Sequence, residues 1–539
     1  MTTADGLIEE KGLAKGTNWW GAFVIGLAGT ILVTGIAPYV VQGTGALGII
    51  LIGIETIFGC FLCLCLAELG TMWPDRTGGI PGYAAESFRP LVGDRVARHI
   101  GGTSGWAYWL GWFPVAPINV ILTASYLAVL FNFSPGHLIS PVGSTWGSPI
   151  GVTVMLICFA LLLAIFIPAY LGIRLGAAFA TVLGVLSMLP ITVMIFLPFF
   201  KPSVIHWGNV AGFHAPPGVH VSITFLAAWT FPILWNVIAM EAAACYVGEC
   251  RGGARDAKIA LTAEGIFGVF IYIMTPLMFV AVLGLLLASS DPRTEYLAYT
   301  AHIFGKGSWE KWFVGVPLIL ALALSVLNAI MGVGRSLYQA AEDGQLPRWF
   351  EKKNRHGVPS NAMAFNVVCA AILVLLGSPL RIYIISNGGY LLSCAGALGG
   401  YFVYRHLRPN EHRPFRLPTW CKWLALAVFI FWMVIYFFGG WNSPKVVVGP
   451  GQGPGLYLLG LLIVALYAPL YWWRAWQDRR LAAAGRLKLG TANGQADAVG
   501  AVSMPDAVAA PPTSASPLTD GAPDPVSGAE PSGEPPVIR

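Results

Sequence analysis

The chain has 539 residues, of which 56% are hydrophobic and 11% are charged, and its mean hydropathy is +0.67. This composition excludes an ordinary soluble globular protein, in which about a quarter of the residues carry charge. The net charge of +6 lies mostly in gaps between long apolar stretches, which indicates a membrane protein and argues against a nucleic-acid partner.

Apolar runs long enough to cross a bilayer recur along the chain, since a hydrocarbon core about 30 Å thick requires roughly 20 apolar residues per helix. The runs predict twelve spans: 19–42, 45–70, 102–132, 148–171, 175–199, 221–247, 258–288, 311–340, 360–378, 380–404, 419–440 and 455–477. With the N-terminus inside, 25 Lys and Arg residues fall in cytoplasmic segments and 6 in external ones. We therefore predict an all-α, multi-pass protein of the cell (plasma) membrane with both termini in the cytoplasm.

Three regions differ in composition. Residues 1–18 are polar, and the apolar run that follows them is too long for a signal peptide, so we predict a cytoplasmic N-terminus. Residues 19–477 form the predicted transmembrane domain of about twelve helices. Residues 478–539, rich in Ala, Pro, Gly and Ser from about Gly490, form a predicted cytoplasmic and largely disordered tail.

The sequence predicts neither a cofactor nor a metal site. Cys60, Cys63 and Cys65 are closely spaced, but they lie within the second predicted span without a polar loop of His and Cys partners. We therefore assign them to helix packing. The pattern Gly-x-x-x-x-Gly-Lys-Ser/Thr is absent, which argues against ATP hydrolysis by this chain.

The first predicted span is a poor continuous helix, because its residues 26–38 contain three glycines, two threonines and a proline. An opened helix survives in hydrocarbon only where it lines a cavity, since unsatisfied backbone groups are costly there. Freed N–H groups near its centre would then hold an anionic substrate group. The residues that we predict to bind substrate here are Thr30, Ile31, Val33, Thr34 and Gly35.

The sixth predicted span holds a second interruption. Between Phe231 and Glu241 it combines Pro232, Asn236 and a carboxylate within one apolar stretch. Paired interruptions at corresponding positions of two repeated halves are the best sequence pointer to a transporter's binding site. The competing interpretation is that Gly and Pro are simply frequent in membrane helices, where they permit close packing and mild kinks.

Four motifs, in order, resemble the amino acid–polyamine–organocation superfamily. Residues 30–36 resemble the family's Ser-Ile-Ile-Gly-Ser-Gly-Ile signature, and residues 67–83 resemble its Glu-Leu-Ala…Pro…Gly-Gly-x-Tyr stretch. The strongest match is at residues 335–347, with its Asp-Gly-Gln-Leu-Pro loop, and residues 413–418 resemble the basic loop after the tenth span. The resemblance covers roughly residues 19 to 475.

This resemblance implies a five-plus-five inverted repeat with two further helices, broken first and sixth helices, and alternating access around a midplane site. The sixth span is most similar to that of arginine/agmatine-type antiporters, in which the matching Trp stacks on the substrate. The resemblance thus places Trp235, Ile238 and Ala239 at the substrate. It places Glu241 at a coupling or gating position, together with Ser187 of the fifth span.

Two positions depart from the family pattern. Val33 replaces the first glycine of the signature's Gly-Ser-Gly, and Ala239 replaces the glycine usual at the sixth-span break. A β-branched residue narrows the pocket where family members hold a carboxylate. The departures favour an amine or a small substrate.

Glu241 is the carboxylate whose protonation we expect to be coupled to substrate binding or gating, because a midplane charge costs about 2.5–3.5 kcal/mol. The alternative is a permanently protonated structural acid. Trp235 would offer its aromatic face to an amine, and the alternative role of Trp235 is an apolar lid over the substrate.

Glu68 and Glu264 are expected near cytoplasmic helix ends, where they pair or reach toward water. Ser325 is the candidate for a sodium site, which leaves almost no sequence signature.

The leading hypothesis is a secondary active transporter of amino acids or related amines, driven by exchange or proton coupling. Its partners would be the small-molecule substrate, H⁺ or an exchanged substrate, and the lipid bilayer; the oligomeric state stays open. The alternatives are a proton-coupled symporter of small neutral amino acids and a non-transporting membrane sensor. We expect no enzymatic activity, because the histidines lie mostly in loops or near span ends. Tyr108, Trp109 and Trp112 of the third span are assigned to packing or to the membrane interface, and the alternative is that they add aromatic surface to the site.

Overall fold

The computed structural model describes residues 18–74, 79–171, 191–305, 307 and 309–484, and most of them are helical. The α-helices of ten or more residues are α1 (Trp19–Thr30), α2 (Val33–Thr44), α3 (Leu47–Met72), α4 (Ile80–Trp112), α5 (Val115–Leu130), α6 (Val152–Leu171), α7 (Ile223–Val237), α8 (Ala254–Leu283), α9 (Glu295–Phe304), α10 (Glu310–Glu342), α11 (Ser360–Val374), α12 (Pro379–Leu407), α13 (Cys421–Val434), α14 (Gly455–Ala465) and α15 (Tyr467–Ala483).

Shorter pieces connect these helices. Short α-helical turns lie at Gly143–Trp146 and Gly440–Ser443, and π-helical turns at Ile435–Gly439 and Pro444–Val448. The 3₁₀ segments are Leu197–Phe200, Pro202–Val204, Trp207–Asn209, Ala211–Phe213, Ile238–Glu249, Gly284–Ser289, Pro292–Thr294 and Arg348–Glu351. Two strands, β1 (Leu138–Ile139) and β2 (Ile150–Gly151), pair antiparallel with Leu138 opposite Gly151.

Nine helical stretches among the described residues are long and apolar enough to cross a bilayer. A tenth is counted if the bent pair Ile191–Phe200 and Pro202–Phe213 forms one span. The prediction of an all-helical, multi-pass membrane protein is therefore confirmed, whereas the count of twelve spans stays a prediction. The first predicted span is divided between α1 and α2, the fifth lies largely outside the described residues, and the ninth is the 15-residue α11.

The polar stretch before the third predicted span is also helical, since α4 begins at Ile80 and not near residue 102. A search for apolar runs does not find this helix, because it carries charged side chains such as Arg89 and Arg95. Gly93 has φ 75° and ψ 171°, so the helix bends there, in a conformation that glycine adopts readily. The apolar half of α4 follows this bend.

Helices α4 and α12 pack closely at the centre of the molecule. A Cβ added to Gly389 of α12 would lie 2.3 Å from the Ala107 carbonyl oxygen of α4, so the two backbones touch there. Small residues at such crossings are typical of membrane helix packing. At the periphery, α6 and α14 expose large apolar side chains such as Leu163 and Leu462, as contact with lipid requires.

The carboxylate of Glu68 is enclosed by a loop at the predicted cytoplasmic face. Its Oε2 accepts hydrogen bonds from Tyr401 Oη at 3.0 Å and from the Leu417 N–H at 2.8 Å, and its Oε1 lies 3.0 Å from Arg413 Nε. Arg405 adds a second guanidinium at 3.4 Å. Of the two roles expected for Glu68, the structure shows pairing and not a side chain that reaches toward water, because the carboxylate is fully buried and the loop brings its charge partners to it.

The end of α2 is joined to the start of α9. Gln42 Nε2 donates to the carbonyls of Leu287 and Ser290 at 3.1 and 3.0 Å, and Ser290 Oγ donates to Glu295 Oε2 at 2.6 Å. Glu295 is fully buried although it lies between the membrane-spanning helices α8 and α10. Burial raises the pKa of Glu295 to about 7; the Ser290 hydrogen bond opposes this shift and the Asp291 carboxylate adds to it.

This pKa makes stability depend on pH in a defined direction. Glu295 binds a proton more tightly in the folded state than in the unfolded state. Its contribution to the free energy of unfolding is therefore fully present below pH 4.5 and is lost as the pH rises through about 7. The full loss is about 3 kcal/mol. E295Q should abolish this loss and therefore be more stable than the wild type at pH 8, as measured by thermal unfolding in nanodiscs at pH 5 and 8. The matched control is E411Q at an exposed glutamate, and equal pH slopes in wild type and E295Q would contradict the assignment.

Candidate functional site

Glu241 lies in the 3₁₀ segment Ile238–Glu249, directly after α7, and it is fully buried. Its Oε1 accepts hydrogen bonds from Tyr390 Oη at 2.7 Å, Tyr108 Oη at 2.9 Å and Trp112 Nε1 at 3.3 Å. Its Oε2 has no hydrogen-bond partner among the described residues. One carboxylate oxygen is thus saturated with donors, while the other can accept a proton or a cationic hydrogen-bond donor.

The three donors come from helices on two sides of the 3₁₀ segment. Tyr108 and Trp112 lie one helical turn apart on α4, and Tyr390 lies on α12. The assignment of Tyr108 and Trp112 to packing is therefore incomplete, because both also bind Glu241. Their spacing of four residues on one helix face was a signal for a shared partner. Tyr390 carried no such signal, because it is 149 residues from Glu241 in the chain.

A small cavity lies beside two of the side chains that donate hydrogen bonds to Glu241. It is lined by Tyr108 and Trp112, by Cys245 of the 3₁₀ segment, and by Asn328 and Ser336 of α10, among others. Its volume of about 30 Å³ would hold about one water molecule. Among the described residues, the lining contains polar and aromatic side chains but no Lys or Arg. An amine larger than water requires the cavity to open.

Trp235, one of the predicted substrate residues, lies between the central helices. Its side chain is 1% exposed, and its Nε1 donates to the Gly111 carbonyl of α4 at 2.9 Å. Its ring centroid lies 4.9 Å from that of Tyr383 on α12, at an interplanar angle of 42°. A Cβ added to Gly35 would lie 2.3 Å from Tyr383 Oη. Tyr383 therefore brings two predicted substrate residues, Trp235 and Gly35, to one place.

The predicted first-span residues form their polar contacts within their own segment. The N–H groups of Thr34 and Gly35 donate to the carbonyls of Ile31 and Leu32, both at 3.0 Å. The hydroxyl groups of Thr30 and Thr34 likewise donate to carbonyls three residues earlier. Ile31 and Leu32 keep right-handed helical dihedral angles. The hydrogen bonds at this point join residues three apart, as in a 3₁₀ turn, and the backbone between α1 and α2 is not opened. In this conformation the two N–H groups are not available to a carboxylate.

The remaining predicted residues are buried. Val33, Ile238 and Ser325 are fully buried, and Ala239 is 1% exposed. A Cβ added to Gly29 would lie 1.9 Å from the Ala239 carbonyl oxygen, so the first and sixth spans touch through their backbones. Ser187 lies outside the described residues. Within the described part of the chain, no group of three His, Cys, Asp or Glu residues is placed to hold a metal ion.

Comparison with known proteins identifies the family. The family model described as amino acid permease matches residues 18–466, which is most of the chain. The chain belongs to the amino acid permease family. The resemblance seen in the sequence is thereby confirmed, and membership indicates a multi-pass membrane permease and not an enzyme.

Individual relatives of this permease are distant. It is 26% identical to polyamine transporter PUT1 of Oryza sativa subsp. japonica, over 66% of this chain and 60% of that protein. It is 25% identical to the arginine/agmatine antiporter of Chlamydia pneumoniae, over 66% and 69% of the two chains. It is 20% identical to the D-serine/D-alanine/glycine transporter of Escherichia coli (strain K12), over 65% and 74%. The matches to the plant polyamine transporters span 60 to 66% of those proteins' length.

Proposed function

We propose that this permease is a secondary active transporter of amines or amino acids with an amine-type cation as its preferred substrate. It lies in the plasma membrane with both termini in the cytoplasm, as the distribution of Lys and Arg favours. It works by alternating access in a five-plus-five inverted repeat with two further helices. Its substrate site lies between the first and sixth spans, at residues 30–35 and 235–241.

The observation that carries this proposal is the one-sided environment of Glu241. Among the described residues, this fully buried carboxylate has three donors on Oε1, none on Oε2 and no ion-pair partner. Burying an unpaired charge is costly, so the carboxylate gains most from a partner that neutralises it. A proton and an ammonium group are the two partners that fit a transport cycle.

Competition between these partners would couple substrate movement to exchange or to protons. Oε2 accepts either a proton or the ammonium group of the substrate, and each excludes the other. A carrier that has released its substrate on one side then returns after binding a proton or a second substrate. The ionised, empty carrier returns poorly, because its charge is unpaired in the membrane. Exchange and proton coupling thus arise from the same residue.

Three lines of evidence support an amine over an α-amino acid carboxylate. The backbone N–H groups at Thr34 and Gly35 are already bonded to carbonyls, and Val33 restrains the backbone beside them. Trp235 can offer an aromatic face to a cation, an interaction worth up to about 2 kcal/mol when desolvated. Two of the relatives carry names that specify polyamine or arginine/agmatine transport, which fits a cationic substrate.

The test is uptake of labelled putrescine, arginine, lysine, leucine, alanine and glutamate into proteoliposomes. Each is measured with and without internal substrate, and with an imposed pH gradient. We expect accumulation of a cation that depends on internal counter-substrate or on the pH gradient. Gradient-driven uptake of leucine or alanine alone would contradict the amine preference and indicate a symporter. No flux of any of the six would contradict the proposal and favour a sensor.

A further inference from the structure

Tyr272 of α8 contacts the backbone of both the first and the sixth span. Its fully buried hydroxyl group lies 2.7 Å from the carbonyl oxygen of Asn236 and 3.1 Å from that of Gly29. These carbonyls belong to the last turns of α7 and α1, and the Gly29 carbonyl also accepts the Leu32 N–H at 3.2 Å, so Tyr272 adds a partner from a third helix. Its single proton serves one of them at a time, so the hydroxyl bridges the two helix ends.

Glu264, two turns earlier on α8, contacts the sixth span at a second point. Its Oε2 accepts the N–H of Ala243 at 2.8 Å, within the 3₁₀ segment. Its Oε1 has no hydrogen-bond partner among the described residues and points at α1, where a Cβ added to Gly26 would lie 2.6 Å from it. Of the two roles expected for Glu264, the structure shows pairing with a neighbouring span and not a side chain that reaches toward water, because the side chain is fully buried. It is held inside because it satisfies a backbone N–H group.

The two contact points on the sixth span lie next to the site residues Trp235 and Glu241. Asn236 follows Trp235 directly, and Ala243 lies two residues after Glu241. Between them, α7 gives way to the 3₁₀ segment, and the backbone hydrogen bonds change from residues four apart to residues three apart. Side-chain partners at both ends would therefore fix the orientation of Trp235 and Glu241 relative to α1.

We propose that Tyr272 and Glu264 are positioning residues, which supply backbone hydrogen-bond partners that hold Trp235 and Glu241 in place for the substrate. The proposal rests on the proposed function for its consequence in transport, but its structural part is independent of any substrate. The acceptor oxygen of Glu264 is the feature that matters at Ala243. A glutamine at this position keeps that oxygen, whereas a leucine removes it.

The structural part is tested by hydrogen–deuterium exchange of the full chain in nanodiscs. Y272F and E264L should speed exchange in peptides covering 236–243 by about threefold to tenfold, since each removes one buried hydrogen bond. E264Q should remain near the wild type. The matched control is Y436F, because Tyr436 Oη donates to the Gly388 carbonyl at 2.6 Å, away from these segments. Y272F equal to Y436F, or E264Q as fast as E264L, would overturn the proposal.

The positioning role is tested by putrescine exchange with the same four variants. Y272F and E264L should raise KM by about threefold to tenfold, while E264Q and Y436F stay within about twofold of the wild type. Faster deuterium exchange with an unchanged KM would assign Tyr272 and Glu264 a purely structural role and overturn the proposal. If the wild type moves no amine, the proposed function fails, and the deuterium exchange still decides whether these two side chains hold the segment.

Discussion

E241Q should lower kcat/KM for putrescine about 100-fold while the protein still folds, because removing one member of a buried charge pair costs about 2–5 kcal/mol. The glutamine oxygen can still accept from Tyr108 and Tyr390, so the hydrogen bonds that hold the segment survive. Its amide group cannot neutralise an ammonium group at the place of Oε2. The measurement is initial-rate exchange in proteoliposomes, with thermal unfolding to establish that the variant is folded.

The matched control for this change is E55Q. Glu55 is also a buried carboxylate in a membrane helix, 2% exposed, but it accepts from Trp432 Nε1 at 3.3 Å on α13. We expect E55Q to transport within about threefold of the wild type. An E241Q variant that keeps wild-type kcat/KM would show that the carboxylate is a structural acid. An equal loss in E55Q would show that any buried carboxylate produces the effect.

W235L should raise the KM for a cationic amine about 10- to 30-fold, since a desolvated cation–π contact is worth up to about 2 kcal/mol. W235F, which keeps an aromatic face but loses the hydrogen bond to Gly111, should lie between W235L and the wild type. The measurement is the concentration dependence of putrescine exchange, normalised to folded protein. Normalisation is needed because a smaller side chain at a site 1% exposed also destabilises the core.

W432L is the control for lost packing. Trp432 is fully buried and lies on α13, so its replacement leaves a comparable cavity away from the candidate site. We expect W432L to lower thermal stability and leave KM unchanged. If W235L lowers only the maximum rate and keeps the wild-type KM, Trp235 acts as an apolar lid and the cation-platform role is wrong.

The sequence was sufficient for most of the membrane architecture, because a bilayer imposes a length and polarity on each spanning helix. The predicted spans 45–70 and 311–340 match α3 and α10 to within a few residues. The search for apolar runs does not find helices that lie outside the hydrocarbon core, because such helices carry charged side chains. The helix from Ile80 to the bend at Gly93 carries charge, so no apolar run marks it.

The candidate site was predictable only in part. Glu241 and Trp235 stand out because a carboxylate and an indole within one apolar span require an explanation. Their partners do not stand out, because Tyr390 and Tyr383 belong to α12 and reach the site only through the packing of distant segments. The partner of Glu264 was not predictable either, since it is a backbone N–H group with no signature in the sequence.

The central claim is that Glu241 Oε2 receives the ammonium group of the substrate. The most direct measurement is a cryo-electron microscopy structure of the full chain in nanodiscs with putrescine at saturating concentration. We predict one amine nitrogen within about 3 Å of Glu241 Oε2, the distance of a charge-assisted hydrogen bond. Putrescine bound elsewhere, with Oε2 still lacking an amine partner, would contradict the account.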